Sequence, residues 1–564
     1  MLTPSLKLKF VSEDLVSIQS ADASITESIP IETENMELAL KYLKQLNRKC
    51  FDDGNRISQH IVVDGFEPWW FSQEHLFWNI LVPFTRYRRL IHRCLTSTSV
   101  EILEPPYELS RLITILAGKA NVPSLQITSK HSYQSQVGEF ETALVRASLK
   151  SLFHYIVNRP EALIYTVDKV TKGLGYDFRL KAIYQELAQR NEKFAEYVHV
   201  GERHVVFNNQ KQRQRPVVFF EYLAPLIDKL LSQVSRKKAK SSLSIAVDAD
   251  DKDDIFLAAV AAYGIKKAES SASTYRGLKL LLRLHQPKYA LIMDDSRHTH
   301  ALAAACKALK IPTVGYQHGL NINKYFTGLA CYGWSGARSH APDTYGLWSE
   351  YYRDSLLSFS EFYTAQQTFI CGNLRPPENK KLINFSVAPA KPLKQKPINV
   401  LLISEPKAKP EELLPTVEKL VASSQCSVAL KLRPSENLVP VKELFGSLLE
   451  NMEQVFTAGV YQAFAGADVV VGMYSSVLYE AVLAGKPVVI IKNSSPFAGN
   501  LAEQGLADLI VDCEQAEAIV IQASNLSQEE LIRRRDVVWG KEQNDGASTL
   551  FKAVETLNAN RYKK

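Results

Sequence analysis

Two adjacent serines, Ser475 and Ser476, follow a short β-branched run, Asp468 to Val471 closed by Gly472, and precede a segment, Val477 to Ala484, with helical spacing. The pattern predicts strand, tight turn, helix, and Pro487 to Ile491 supplies the next strand. A helix start presents unpaired backbone N–H groups and the positive end of the macrodipole, so two hydroxyls beside it form a candidate phosphate seat. Glu480 stands one helical turn beyond Ser476, where a carboxylate could accept hydrogen bonds from ribose hydroxyls. The same residues also fit a plainer role, a serine N-cap followed by a solvated glutamate. Arg433 leaves the predicted strand of SVALKLRPSEN and, facing the serine turn, would offer a fork of donors to a phosphate.

A second set of polar residues falls at predicted strand exits in the first half of the chain. Asp294 and Asp295 end the run Tyr289 to Met293, and Gln317, His318 and Gly319 end the run Pro312 to Tyr316. A histidine titrates near neutrality, so His318 among carboxylates suits a general base or an orienting group; it suits a hydrogen-bonded structural residue equally. Asp64-Gly65 closes a third run, Ile61 to Val63, and Trp69, Trp70 and Phe71 follow it. Asp64 there is a candidate base, or a turn aspartate before a glycine. The aromatics are a candidate sugar platform or simply core. Gly372, Asn373 and Arg375 follow another strand, in TFICGNLRP.

The elements that must carry these residues alternate strand and helix, which predicts an α/β chain with parallel sheets and ligands at the carboxyl ends of the strands. At 564 residues the length exceeds one core. The predicted division is an N-terminal appendage (1–56) and a Rossmann-like half (57–375) interrupted by a helical insertion at about 138–240. A linker rich in proline and lysine leads to a second Rossmann-like half (376–527), and a charged helical tail (528–564) completes the chain.

Composition narrows the function classes. With 67 basic and 60 acidic residues the formal charge is +7, a mild bias that accommodates anionic ligands or an anionic membrane surface but is no nucleic-acid signature. Two basic runs, KQRQR (211–215) and SRKKAK (235–240), suit solvated ends or a peripheral membrane contact. Seven scattered cysteines without a C-x-x-C pair point to reduced thiols and a cytoplasmic setting rather than a disulfide framework or zinc site. No apolar run approaches the roughly 18 residues of a membrane span. No DxD-like acidic cluster follows a strand in the second half, so no bound metal is expected.

In their order, AAACKALKIPTVGYQHG, DTYGLWSEYY, CGNLRP, LKLRP and ADVVVGMYSSVLYEAVLAGKPVVI resemble the GT-B glycosyltransferases of bacterial capsules and other surface polysaccharides. Sialyl- and Kdo-transferases and CDP-glycerol-type polyol-phosphate transferases share this layout. The resemblance runs from about 285 to 512 and covers the first 130 residues only by topology. It implies two Rossmann-like domains facing across a cleft, no cofactor, a nucleotide-sugar donor (CMP-linked in some members) as co-substrate, and a glycan or glycolipid acceptor. In those families a His-Pro dipeptide and a Ser-Ser or Ser-Thr pair bind the nucleotide phosphates. Ser475 and Ser476 match the pair, whereas the dipeptide here is Arg433-Pro434. The acidic-acidic-Gly base of the sialyltransferase-like families is matched by Val63-Asp64-Gly65 only in its last two positions, and the polyol-phosphate relatives point to a histidine such as His318. A CDP-glycerol-type transferase and a nucleotide-sugar 2-epimerase fit the same layout.

Overall fold

The computed structural model describes residues 6–561 except 13–14, 21–25, 96–98, 104, 118–123, 129–134, 168–174, 200–216, 233–243, 294–296, 318–321, 375–396, 406–407, 434–435, 437, 458, 494–498 and 541–545. Asp294, Asp295, His318 and Arg375 thus lie outside the described residues. The chain is α/β, with two parallel, Rossmann-like sheets and a smaller mixed sheet at the N-terminus.

The first strands, β1 (Leu6–Ser12), β2 (Leu15–Ser20) and β3 (Thr26–Pro30), form an antiparallel meander. Helix α1 (Met36–Arg48) follows, capped by the Asn35 side chain, and buries Leu40, Leu43 and Leu46. Strands β4 (Ser99–Leu103) and β5 (Ser124–Thr128) then join β1 in parallel, giving the order β3-β2-β1-β4-β5. The three strands within the expected N-terminal appendage are therefore part of a sheet shared with residues beyond 98.

The second sheet has seven parallel strands in the order β12-β11-β10-β9-β6-β7-β8. Helix α2 (Ser135–Asn158) leads into β6 (Ala162–Val167), followed by β7 (Phe194–His199) and β8 (Val217–Val218). The stretch 138–240, expected to be a helical insertion, thus supplies three strands. Two local breaks account for the difference: Arg159, at φ 44° ahead of Pro160, ends α2, and Asn191, at φ 53°, ends the helix Lys181–Gln189 before β7. Helix α3 (Phe220–Ser232) and the long α4 (Lys252–Leu284) come next. They approach closely enough that a Cβ on Gly277 would meet the Ala224 carbonyl oxygen at 1.9 Å, so only glycine serves there. The sheet then grows from its other side through β9 (Tyr289–Met293), α5 (Arg297–Ala308), β10 (Thr313–Tyr316), β11 (Thr344–Leu347) and β12 (Thr368–Ile370). Buried on both faces, β9 and β10 are continuous buried runs rather than alternations.

The third sheet is β15-β14-β13-β16-β17-β18, wholly parallel. Its strands are β13 (Ile398–Ile403), β14 (Cys426–Lys431), β15 (Gln454–Phe456), β16 (Val469–Gly472), β17 (Val488–Ile491) and β18 (Asp508–Ile510). The direction of growth reverses between β13 and β16, and the short helix α6 (Val477–Leu483) leaves the carboxyl end of β16.

The last two helices tie the parallel sheets together. Trp539, at the end of α7 (Gln528–Trp539), stacks on Trp348 just past β11, with centroids 5.3 Å apart, and its indole N–H donates to the Tyr479 carbonyl of α6 at 3.1 Å. The Ser349 hydroxyl donates to the Val538 carbonyl at 2.5 Å. Residues at the carboxyl end of β11 and on the helix leaving β16 therefore meet through α7, so the two sheets turn their carboxyl ends toward one another. Helix α8 (Gly546–Arg561) returns to the second sheet, where Leu550, Phe551 and Val554 pack with Tyr289 and Val314. The expected tail is thus a clasp between the halves.

Candidate functional site

In an open parallel sheet, ligands bind outside the carboxyl ends of strands where the strand order reverses. In the third sheet that point lies between Ile403 and Gly472, and the residues leaving these strands are Ser404-Glu405 and Met473 to Ser476. The candidate serines therefore stand at the switch point.

The turn is held from beneath by a residue that sequence reasoning missed. Glu405 is 1% exposed, and its Oε1 accepts from the backbone N–H groups of Ser475 at 2.7 Å, Tyr474 at 3.1 Å and Met473 at 3.4 Å. Its Oε2 accepts from Arg433 Nη2 at 3.1 Å. Burial pushes the Glu405 carboxyl up from its ordinary value, against the opposing pull of the Tyr474 N–H and the Arg433 charge. The N–H groups of the turn are consequently satisfied from inside the protein. What the turn keeps for a ligand is the half-buried Ser476, at the N-cap of α6 with no side-chain capping bond, and the free nitrogens of the Arg433 fork, whose side chain is 42% exposed. Ser475 is buried, and its hydroxyl accepts from the Val477 N–H at 3.4 Å, the local capping role. Glu480 is half-buried on the first turn of α6.

Further bonds brace the loop after β14. The Ser404 hydroxyl donates to Glu436 Oε1 at 2.5 Å, and the Arg433 N–H donates to Glu436 Oε2 at 2.9 Å. Lys431 is buried, its ammonium donating to the Leu432 carbonyl, and burial lowers its pKa. Asn493, after β17, reaches the Met473 carbonyl at 3.4 Å. One available signal for Glu405 was its place directly after the INVLLIS strand.

The first half differs from expectation at Asp64. Residues 61–63 form no strand of a sheet; Val63 and Phe66 exchange both backbone hydrogen bonds at 2.9 Å around Asp64 (φ 53°) and Gly65 (φ 82°), a two-residue hairpin turn of the kind Asp-Gly favours. Asp64 Oδ2 accepts from Tyr275 at 2.5 Å and from Lys279 Nζ at 2.6 Å, both on α4. Hydrogen bonding from Lys279, then from Tyr275, holds the carboxyl below its ordinary range. Arg338 bonds the Asp64 carbonyl at 3.2 Å and also the Lys307 carbonyl at 3.3 Å, in the last turn of α5, which delivers the chain to the amino end of β10. Asp64 thus belongs to the helix layer toward the amino ends of the strands, away from the facing carboxyl ends. Trp69, Trp70 and Phe71 are each at most 1% exposed and are core, not platform.

Gln317 is at the carboxyl end of β10, but it is 1% exposed and its Oε1 accepts from the Trp348 N–H at 3.0 Å, so it fastens β10 to β11. Gly372 (φ 85°) and Asn373 lie under the start of α8: a Cβ on Gly546 would meet the Asn373 carbonyl oxygen at 2.6 Å. These two residues serve the junction with the clasp. Among the described residues no group of three or more His, Cys, Asp or Glu is placed to hold a metal, and no helix is long and apolar enough to cross a membrane. Two surface recesses, of about 410 Å³ beside Val157 and Phe194 and about 390 Å³ between Tyr107 and Tyr263, lie away from the β13–β16 switch point.

No family model and no curated protein matches the chain. Solved structures to which it is similar include MurG of Acinetobacter baumannii, at 11% identity over 70% of this chain and all of that one, with a TM-score of 0.42. A UDP-N-acetylglucosamine 2-epimerase from Rickettsia bellii scores 0.42 at 13% identity, covering 72% of this chain and 100% of its own. The calicheamicin glycosyltransferase CalG4 scores 0.41 at 13% identity, over 71% and 98%. At such scores and identities the functional reading rests on the chain's own residues.

Proposed function

We propose that the protein is a metal-independent glycosyltransferase of bacterial surface polysaccharide synthesis, moving a sugar from a nucleotide donor to a glycan or glycolipid acceptor at the cytoplasmic side of the membrane. The observation that carries this reading is the β13–β16 switch point, where Ser476, Arg433 and the start of α6 stand together over the Glu405 brace.

In this reading the donor phosphates bind at Ser476 and the outward nitrogens of Arg433. As the bond between sugar and phosphate breaks, negative charge builds on the leaving phosphate, where fixed donors stabilise it without reorganising. Glu405 contributes by holding the turn and one edge of the guanidinium in place. Glu480 is the proposed ribose partner. The acceptor hydroxyl must lose its proton on the opposite side of the cleft. Asp64 is a poor base there, being paired with Lys279 and set toward the wrong strand ends. The role passes to His318, the residue next in sequence to Gln317.

A thermal-shift panel with CMP, CDP, UDP and GDP tests the donor half of the proposal. A nucleotide at 100 times its dissociation constant stabilises by about 2.7 kcal/mol, a shift that should appear for one base and vanish in Arg433→Ala. No shift with any of the four would remove the nucleotide-sugar reading. A shift accompanied by turnover of the nucleotide sugar alone, with no acceptor, would replace transfer by epimerisation.

A further inference from the structure

We infer that the outer face of α2 and α3 is a docking surface for an anionic lipid bilayer. Leu149, Phe153, Ile156 and Val157 form one stripe along α2, and Leu226 and Leu230 a second on the adjoining α3. They are exposed by 52, 65, 39, 59, 38 and 60%, although the opposite faces of the same helices are firmly anchored. Tyr155 donates to the His285 carbonyl at 2.9 Å and meets Phe220 edge-on at 5.1 Å, while Ser151 accepts from the Phe219 N–H at 3.2 Å. The glycine contact at Ala224 presses α3 onto α4, so neither helix can roll its apolar stripe inward.

Among the described residues, the exposed charged side chains around the stripes are basic. Lys150, Arg159 and Lys193 are exposed, and Lys193 shares the rim of a surface recess with Val157. Three described carboxylates nearby are already engaged. Asp228 is buried against Arg276 at 2.7 Å and Ser273 at 2.7 Å, Glu161 binds Lys288 at 2.6 Å, and Glu192 takes the Tyr289 hydroxyl. Apolar side chains fringed by cations match the boundary between headgroups and acyl chains of an anionic leaflet. A second copy docking through the same surface would bring two basic patches together, which disfavours a symmetric dimer. The proposal is independent of what binds at Ser476, and its test uses no nucleotide.

The test is flotation of the full chain with phosphatidylcholine vesicles, with and without phosphatidylglycerol. The wild type should float with the anionic vesicles and be released by salt. Phe153→Glu with Leu230→Glu, both at exposed positions, should weaken binding at least about tenfold. Lys150→Gln with Lys193→Gln should cost about fivefold per charge. Circular dichroism and the melting temperature check that each variant is folded. Absence of wild-type binding, or binding unchanged in both folded variants, overturns the proposal. So does a wild-type dimer, seen by sedimentation equilibrium, that the Phe153/Leu230 variant converts to monomer while vesicles bind neither protein.

Discussion

Replacing Glu405 with Gln should tighten binding of a nucleoside diphosphate. The carboxylate lies against one edge of Arg433 and its charge opposes any phosphate placed on the other edge. Unit charges about 6–8 Å apart interact by about 2–3 kcal/mol at an effective dielectric near 20. Solvent at the partly exposed guanidinium reduces this, leaving about 1 kcal/mol, or about fivefold in affinity. The substitution also has a cost to the fold. Three backbone N–H groups lose a charged acceptor for a neutral one, and such bonds differ by about 1 kcal/mol each, partly offset by the relief of a buried charge. Isothermal titration of wild type and Glu405→Gln with CDP and UDP, each checked for folding, gives the answer. The pH dependence follows the same group. Its folded pKa lies above the ordinary 4.5, so protonation favours the folded state; that contribution is complete below 4.5 and is lost as pH rises through the raised value. Wild-type nucleotide affinity should therefore rise on acidification through that window relative to Glu405→Gln. A folded Glu405→Gln protein with unchanged or weaker affinity would refute the placement of phosphate at Arg433.

Ser476→Ala should weaken nucleotide binding by about 1–3 kcal/mol, while Ser475→Ala, whose hydroxyl is spent on Val477, should chiefly lower the melting temperature; titration calorimetry separates the two. Arg433→Lys keeps the charge but not the fork, so affinity in the same assay should fall if Glu405 and phosphate share the guanidinium. His318→Ala should lower turnover by about 10²- to 10⁴-fold with donor binding intact, and the acid limb of the wild-type rate should fall near pH 6–7. Asp64→Asn should leave turnover nearly unchanged. Its depressed carboxyl pKa contributes stability above about 3.8 that is lost as pH falls through the folded value, and solvent exposure keeps that contribution small.

The third sheet was legible because its strands are β-branched runs ended by glycine or polar residues; at its switch point Glu405 bonds both Arg433 and the Ser475 N–H. The direction of the turn's N–H groups was not legible. They point to Glu405, 70 residues upstream, a pairing that depends on β13 lying beside β16. Local pattern misled at Asp64, since three apolar residues before Asp-Gly describe a hairpin arm as well as a parallel strand, and only Tyr275 and Lys279 on a helix more than 200 residues away distinguish them. The strands β6 and β7 were hidden because Ala162–Val167 and Phe194–His199 follow helices with only Arg159-Pro160 and Asn191 as punctuation. The return of α8 to the second sheet is a long-range packing choice carried by Leu550, Phe551 and Val554, whose spacing marks an apolar face but not what covers it.

The most direct measurement is a crystal structure of the protein with the nucleoside diphosphate that gives the largest thermal shift. The account predicts its phosphates within hydrogen-bond reach of the Ser476 hydroxyl and of Arg433, at the carboxyl ends of β13 and β16, with Glu405 still beneath the turn. Nucleotide bound elsewhere, with Ser476 and Arg433 untouched, would contradict it.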